Sequence, residues 1–251
     1  MMTAYTRTFY DHQSAGSYIS AKTVLKALHA ILPFASVCDV GCGAGTWVKA
    51  VLELGVPDVV GFDGAYARSW LQIPEDHFIA HDLREPLPVA RRFDLAMSLE
   101  VAEHLPTKRS VSFVEDLTKL APAVLFSAAV PGQGGTAHIN EQWQGFWVAE
   151  FARRGYRVFD VIRPRVWDDP TVEIWYRQNT LVFLHEDHPA TDAVRAAVAA
   201  VPAPVSMVHP GMFPLGFNMD NKPLLLRFLY WSLARDVKRR LGLAPSSRHT
   251  S

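Results

Sequence analysis

Val37-Cys38-Asp39-Val40-Gly41-Cys42-Gly43-Ala44-Gly45 is a short apolar run that meets an acid and then three glycines at alternate positions. Apolar residues bounded by glycine read as a buried strand that runs into a tight turn. Glycine at every second position lets the backbone turn sharply and approach a ligand with no Cβ in the way. Asp39 brings a carboxylate to the carboxyl end of that strand, the end at which open α/β sheets bind their ligands. The spacing is Gly-x-Gly-x-Gly with Thr46 next, so the dinucleotide fingerprint Gly-x-Gly-x-x-Gly is not met.

On the N-terminal side, Ile19, Val24, Leu25, Leu28, Ile31 and Leu32 form a helical stripe that stops at Pro33. On the C-terminal side the pattern predicts strands over 58–62, 77–80, 93–99, 123–130, 156–162 and 180–184. Helices are predicted over 46–54, 107–120 and 142–154, the last ending at Gly155 as a left-handed cap. Strands alternating with helices imply an α/β fold, a parallel sheet with helices on both faces. Beyond His185 an Ala/Pro/Val-rich stretch precedes a Pro/Gly-punctuated loop, an apolar-then-basic helix over Leu224 to Leu243, and a polar tail.

With 251 residues the chain suits one α/β domain, and 25 Lys+Arg balance 25 Asp+Glu, leaving no net field to attract nucleic acid. A hydrophobic content of 49% excludes a wholly disordered chain, and no apolar run reaches the length of a membrane span. The first eleven residues lack the apolar centre of a signal peptide. Cys38 and Cys42 are too few and too close for a disulfide framework, so a reducing, cytoplasmic setting is expected.

Two further acids stand where strands end: Asp63, before Gly64, and Asp82 in His81-Asp82-Leu83. Together with the glycine turn they resemble the class I S-adenosylmethionine-dependent methyltransferases over about Thr23 to Leu184. The resemblance implies a Rossmann-like, seven-stranded, mostly parallel sheet closed by an antiparallel C-terminal hairpin. With the pattern on either side, the chain is expected to divide into a lid and first-helix start over 1–22, a cofactor-binding domain over 23–185 and a C-terminal helical appendage over 186–251. The resemblance also implies S-adenosylmethionine as cofactor. Asp39, Gly41, the backbone of Cys42, Gly43 and Gly45 would lie under its methionine portion, Asp63 and Gly64 at the ribose, and Asp82 and Leu83 at the adenine. Tyr10, in the polar–aromatic segment Phe9 to Gln13, would fold over the cofactor, and Glu100 would touch it.

Methyl transfer to a hydroxyl requires loss of the acceptor's proton or binding of its oxygen to a metal. Glu100, Glu103 and His104 in Glu-Val-Ala-Glu-His lie at i, i+3 and i+4, spaced to share one face if that segment is a helical turn. The segment resembles the Glu-x-x-Glu-His stretch of ubiquinone-pathway and small-RNA O-methyltransferases, where the acids and the histidine can hold a divalent metal. His138, after the glycine-rich loop Pro131 to Gly135, is the fourth candidate ligand. In a metal-free site, His104 or His138 is the candidate base, with Glu103 beside them. The loop lacks the Lys-Ser/Thr of a phosphate-binding loop and reads as a gate.

Trp143, Trp147, Trp167, Trp175 and Tyr176, with Arg163, Arg165 and Arg177, could line an acceptor pocket, though residue by residue edge packing and solvated charge are the favoured reading. The reading is therefore an O-methyltransferase of a small-molecule or carbohydrate hydroxyl, in a bacterial polysaccharide or secondary-metabolite pathway. An RNA 2′-O-methyltransferase is disfavoured by the charge balance, and a non-catalytic scaffold recruited by the C-terminal helix is the other alternative. Leu224 to Leu243 is suited to peripheral membrane contact or to packing on a dimer mate.

Overall fold

A computed structural model describes residues 7–198 and 205–212, with side chains from residue 16 onward. Seven strands form one sheet: β1 Ser36–Val40, β2 Asp58–Asp63, β3 Phe78–Ala80, β4 Leu95–Leu99, β5 Ala123–Ser127, β6 Tyr156–Phe159 and β7 Leu181–His185. Their order is β3-β2-β1-β4-β5-β7-β6, all parallel except β7, which runs antiparallel to both β5 and β6. This is the expected mostly parallel sheet with its C-terminal hairpin. The chain winds outward from β1 through β2 to β3, then returns to β4 on β1's other side. The crevice between the carboxyl ends of β1 and β4 is thus the switch point where such sheets bind ligands.

Side chains alternate along each strand and divide the core in two. Val37, Leu95, Met97, Leu125 and Val182 face one side, which is covered by α1 (Arg7–His29) and α2 (Thr46–Glu53) through Val24, Leu25, Leu28, Val48 and Val51. Cys38, Val40, Ala96, Val124, Phe126 and Phe183 face the other, covered by α3 (Ser110–Leu120) and α4 (Gln144–Ala152) through Phe113, Val114, Leu117, Trp147 and Phe151. Phe151 stacks on Phe183 with ring centroids 4.0 Å apart. Three short helices, α5 (Arg163–Val166), α6 (Ile174–Asn179) and α7 (Thr191–Ala196), join the first face through Val166, Tyr176 and Val194.

The first helix starts earlier than expected: residues 9–13, read as a segment before it, lie within α1, which begins at Arg7, and the Tyr10 side chain lies outside the described residues. The aromatic residues divide: Trp147 and Tyr176 are buried, Trp167 and Trp175 are partly buried and Trp143 is exposed, while Arg163 is buried against Asp160. Arg165 and Arg177 are spent on the Val161 and Trp167 carbonyls, so the apolar demand of the sheet edge took the buried rings and local carbonyls took the cations.

The chain divides into two compact units, residues 1–209 and 210–251. Of the second, the described residues are the 3-10 turn Pro210–Met212, and the predicted helix at 224–243 and the tail lie outside the described residues. No described helix is long and apolar enough to cross a membrane.

Candidate functional site

The glycine turn hangs from β2. Gly41 and Cys42 both donate their N–H to the Phe62 carbonyl, at 2.7 and 3.1 Å. Gly41 has φ +91°, and a Cβ there would come within 2.3 Å of Val101, whereas a Cβ on Gly43 (φ +54°) would meet nothing within 4 Å. The first glycine is therefore needed for packing, and the second faces open space at the crevice. Asp63 is tied to this turn. One of its carboxylate oxygens accepts the Gly43 N–H at 2.8 Å, and the other accepts the Gly64 N–H and the Tyr66 hydroxyl, each at 2.6 Å. Cys42 is buried, and that burial pushes its thiol pKa up, so it has no nucleophilic thiolate to offer.

Asp39 is buried, and its Oδ2 has no hydrogen-bond partner among the described residues. Burial, and then the charge of Asp63, push its carboxyl up to about 8 from 3.8. A raised folded-state value means that the protonated acid favours folding. This stability is complete at low pH and is lost as pH rises toward about 8. Asp39→Asn should therefore raise the melting temperature by several degrees at a pH of about 8.5 and by much less at about 5. An equal shift in thermal melts at both would show that burial leaves this acid ionised.

Asp82 is exposed and forked by the Arg84 guanidinium, whose bonds pull its carboxyl down to about 2. Its neighbour Leu83 is in the core beside Phe62. These two residues therefore differ: one side chain is held at the surface by arginine, the other packed beneath it.

The second half of the site follows β4. Glu100, Glu103 and His104 do not share a helical turn, contrary to their spacing. Glu100 has φ +55°, and only Ala102–His104 form a 3-10 turn. At this left-handed residue the Glu100 carboxylate stays beside Glu103 but takes its hydrogen bonds from the Gln133 and Asn179 amides, at 2.8 and 3.1 Å. Glu103 is fully buried, and both its carboxylate oxygens lack hydrogen-bond partners among the described residues. Its pKa is raised well above the usual range, by burial first and then by Glu100.

His138 reaches this point because the loop after β5 is clamped to the 3-10 turn. The Glu103 carbonyl accepts the Ile139 and Asn140 N–H groups at 2.9 and 3.0 Å, and buried Asn140 donates its side-chain amide to the Ala102 carbonyl and the Ser110 hydroxyl. The His104 and His138 rings meet edge to face, centroids 4.9 Å apart. One carboxylate oxygen of Glu103 and one nitrogen from each histidine lie within 4.8 Å of one another; Glu100 is outside this group. His104 stands at the mouth. Partial desolvation, and then His138, hold its pKa below the ordinary histidine value, against the Ala137 carbonyl and Asp63.

Glu100 and Ala137 (φ +60°) are the two non-glycine residues with positive φ among the described residues, and both flank this cluster. Such backbone costs about 1–3 kcal/mol per residue and collects where function over-determines geometry. The pattern of acids and histidines pointed to Glu103, His104 and His138. The clamp residue Asn140 and the amides Gln133 and Asn179 carried no sequence signal of their own, because their role exists only after the β5 loop meets α6.

A family model for a methyltransferase domain matches residues 10–162. No curated protein matches the sequence. Among solved structures, DesVI from Streptomyces venezuelae is similar with a TM-score of 0.53 at 14% identity, over 70% of this chain and 95% of that one. The plantazolicin methyltransferase BpumL, solved with a pentazolic desmethylPZN analog and SAH, is similar with a TM-score of 0.50 at 12% identity, over 71% and 88%. At such identities these likenesses establish the fold.

Proposed function

Because the chain belongs to the methyltransferase-domain family, with S-adenosylmethionine as methyl donor, we propose that it methylates a hydroxyl of a small-molecule or glycan-like acceptor. We further propose that Glu103, His104 and His138 hold a divalent cation for that reaction. The observation that carries this reading is the buried, unpartnered Glu103 carboxylate beside two imidazoles. A carboxylate so placed needs a counter-charge in order to ionise, and one acid with two nitrogens suits a first-row divalent ion.

Each residue then has one task. Asp63 takes the ribose hydroxyls, the Gly43 side of the turn leaves room for the methionine portion, and Glu103 supplies negative charge next to the lone pairs of His104 and His138. A cation held by these three residues would supply Lewis acidity, lowering the pKa of the acceptor hydroxyl. Ile139 and Trp143, 61% and 46% exposed, lie either side of the clamp and offer an apolar rim to a ring-bearing acceptor. In-line alignment of oxygen and methyl supplies much of the rate in such transfers.

The test joins metal analysis to turnover. Protein purified without chelator should contain a stoichiometric divalent metal, and chelation should abolish S-adenosylhomocysteine release from a panel of phenolic and sugar acceptors. Cofactor affinity by calorimetry should not change. Turnover that survives complete metal removal would replace the cation with His104 as a general base.

A further inference from the structure

Glu141 has no part in the reading above, yet its carboxylate makes three contacts on the loop that carries His138. One oxygen accepts the Gly132 N–H at 2.8 Å; the other accepts the Gly134 N–H at 3.2 Å and lies 2.9 Å from His138 Nδ1. The pair is sheltered, with the His138 and Glu141 side chains 12% and 21% exposed. A carboxylate only accepts hydrogen bonds, so Nδ1 must carry a proton, which in the neutral ring leaves the lone pair on Nε2. Room for that edge of the ring comes from Gly135, where a Cβ would lie 2.3 Å from His138 Nε2.

We propose that Glu141 is a positioning residue that locks His138 in its Nδ1–H tautomer, so that Nε2 is the nitrogen presented to a cation or an acceptor. Since the same carboxylate holds two N–H groups of the Pro131–Gly135 loop, the shape of that loop and the orientation of His138 change together. The proposal rests on His138 being a functional group of the site. An oriented outer-shell carboxylate is a general requirement of imidazole ligands and bases. Here it lies three residues along the same chain and also pins the gate.

The test reads the tautomer directly in the full-length protein. In ¹⁵N-histidine-labelled protein, with the His138 signals identified by their loss in His138→Gln, Nδ1 should be the protonated nitrogen. Glu141→Gln keeps the shape but has a single acceptor oxygen. With that oxygen on the Gly132 N–H, the amide N–H takes the place of the oxygen shared by Gly134 and His138, faces Nδ1 and should drive His138 to the Nε2–H form. The same variant should weaken Co²⁺ binding, followed by titration, about 10–100-fold, with S-adenosylhomocysteine affinity unchanged. A wild-type His138 protonated on Nε2 would overturn the proposal, as would an unchanged tautomer in Glu141→Gln. Failure of wild-type protein to take up Co²⁺ would defeat the metal reading of the previous section, and the tautomer would still decide this one.

Discussion

Asp63→Ala should weaken S-adenosylhomocysteine binding by about 2–4 kcal/mol, close to 30- to 1,000-fold, while the protein stays folded. Two losses combine. The charge-assisted bonds proposed between Asp63 and the ribose hydroxyls would be lost, and the Gly43 N–H, now 2.8 Å from a carboxylate oxygen, loses the acceptor that pins the glycine turn. The Gly64 N–H and the Tyr66 hydroxyl are released at the same time. Calorimetric titration measures the effect, with a thermal melt as the folding control. Wild-type affinity in the variant would remove Asp63 from the cofactor site. It would also undermine the placement of the cofactor over the β1 turn.

Glu103→Gln should lower turnover by about 10³-fold, the rate equivalent of several kcal/mol of lost charge stabilisation. The protein itself should become no less stable, and more stable if the effect is large enough to read. The reason is the burial of the native carboxylate without hydrogen-bond partners, next to Glu100, which raises its pKa well above the usual range. An isosteric neutral amide removes that electrostatic cost. The melting temperature and the rate are measured on one preparation. A fall in both would mean that Glu103 is a structural acid; a fall in rate alone is the expected mark of a functional one. Wild-type turnover in the variant would exclude Glu103 from the chemistry.

Much of the fold was legible because its signals are local and repeated. Val37 and Cys38 point to opposite faces of one strand, and the same alternation in β4, β5 and β7 builds both core layers. The helices α5, α6 and α7, four to six residues each, were not legible. At that length hydrogen bonding and propensity cannot sustain a helix, and burial of Val166, Tyr176 and Val194 against the first layer does so instead. Apolar rings show the same limit. Composition near the hairpin marked Trp147 and Trp143 alike, but Trp147 packs on Phe126 while Trp143 stays half exposed.

The strand–turn–helix at Asp39 to Gly45 and the acid at the end of β2 follow from short stretches of sequence. These depend on backbone freedom at glycine and on chemistry within a few residues. Long-range contacts set which of the candidate ligands meet in the second cluster. The i, i+3, i+4 spacing of Glu100, Glu103 and His104 implies a shared face only on a regular helix, and the left-handed turn at Glu100 sends that carboxylate to Gln133 and Asn179 instead. His138, already a candidate from the sequence, reaches Glu103 and His104 from more than thirty residues further on because the Glu103 carbonyl and the Asn140 side chain clamp one loop onto another. Contacts between chain segments so far apart leave no periodicity to read. They are decided by which backbone carbonyls and N–H groups remain unpaired when the sheet closes.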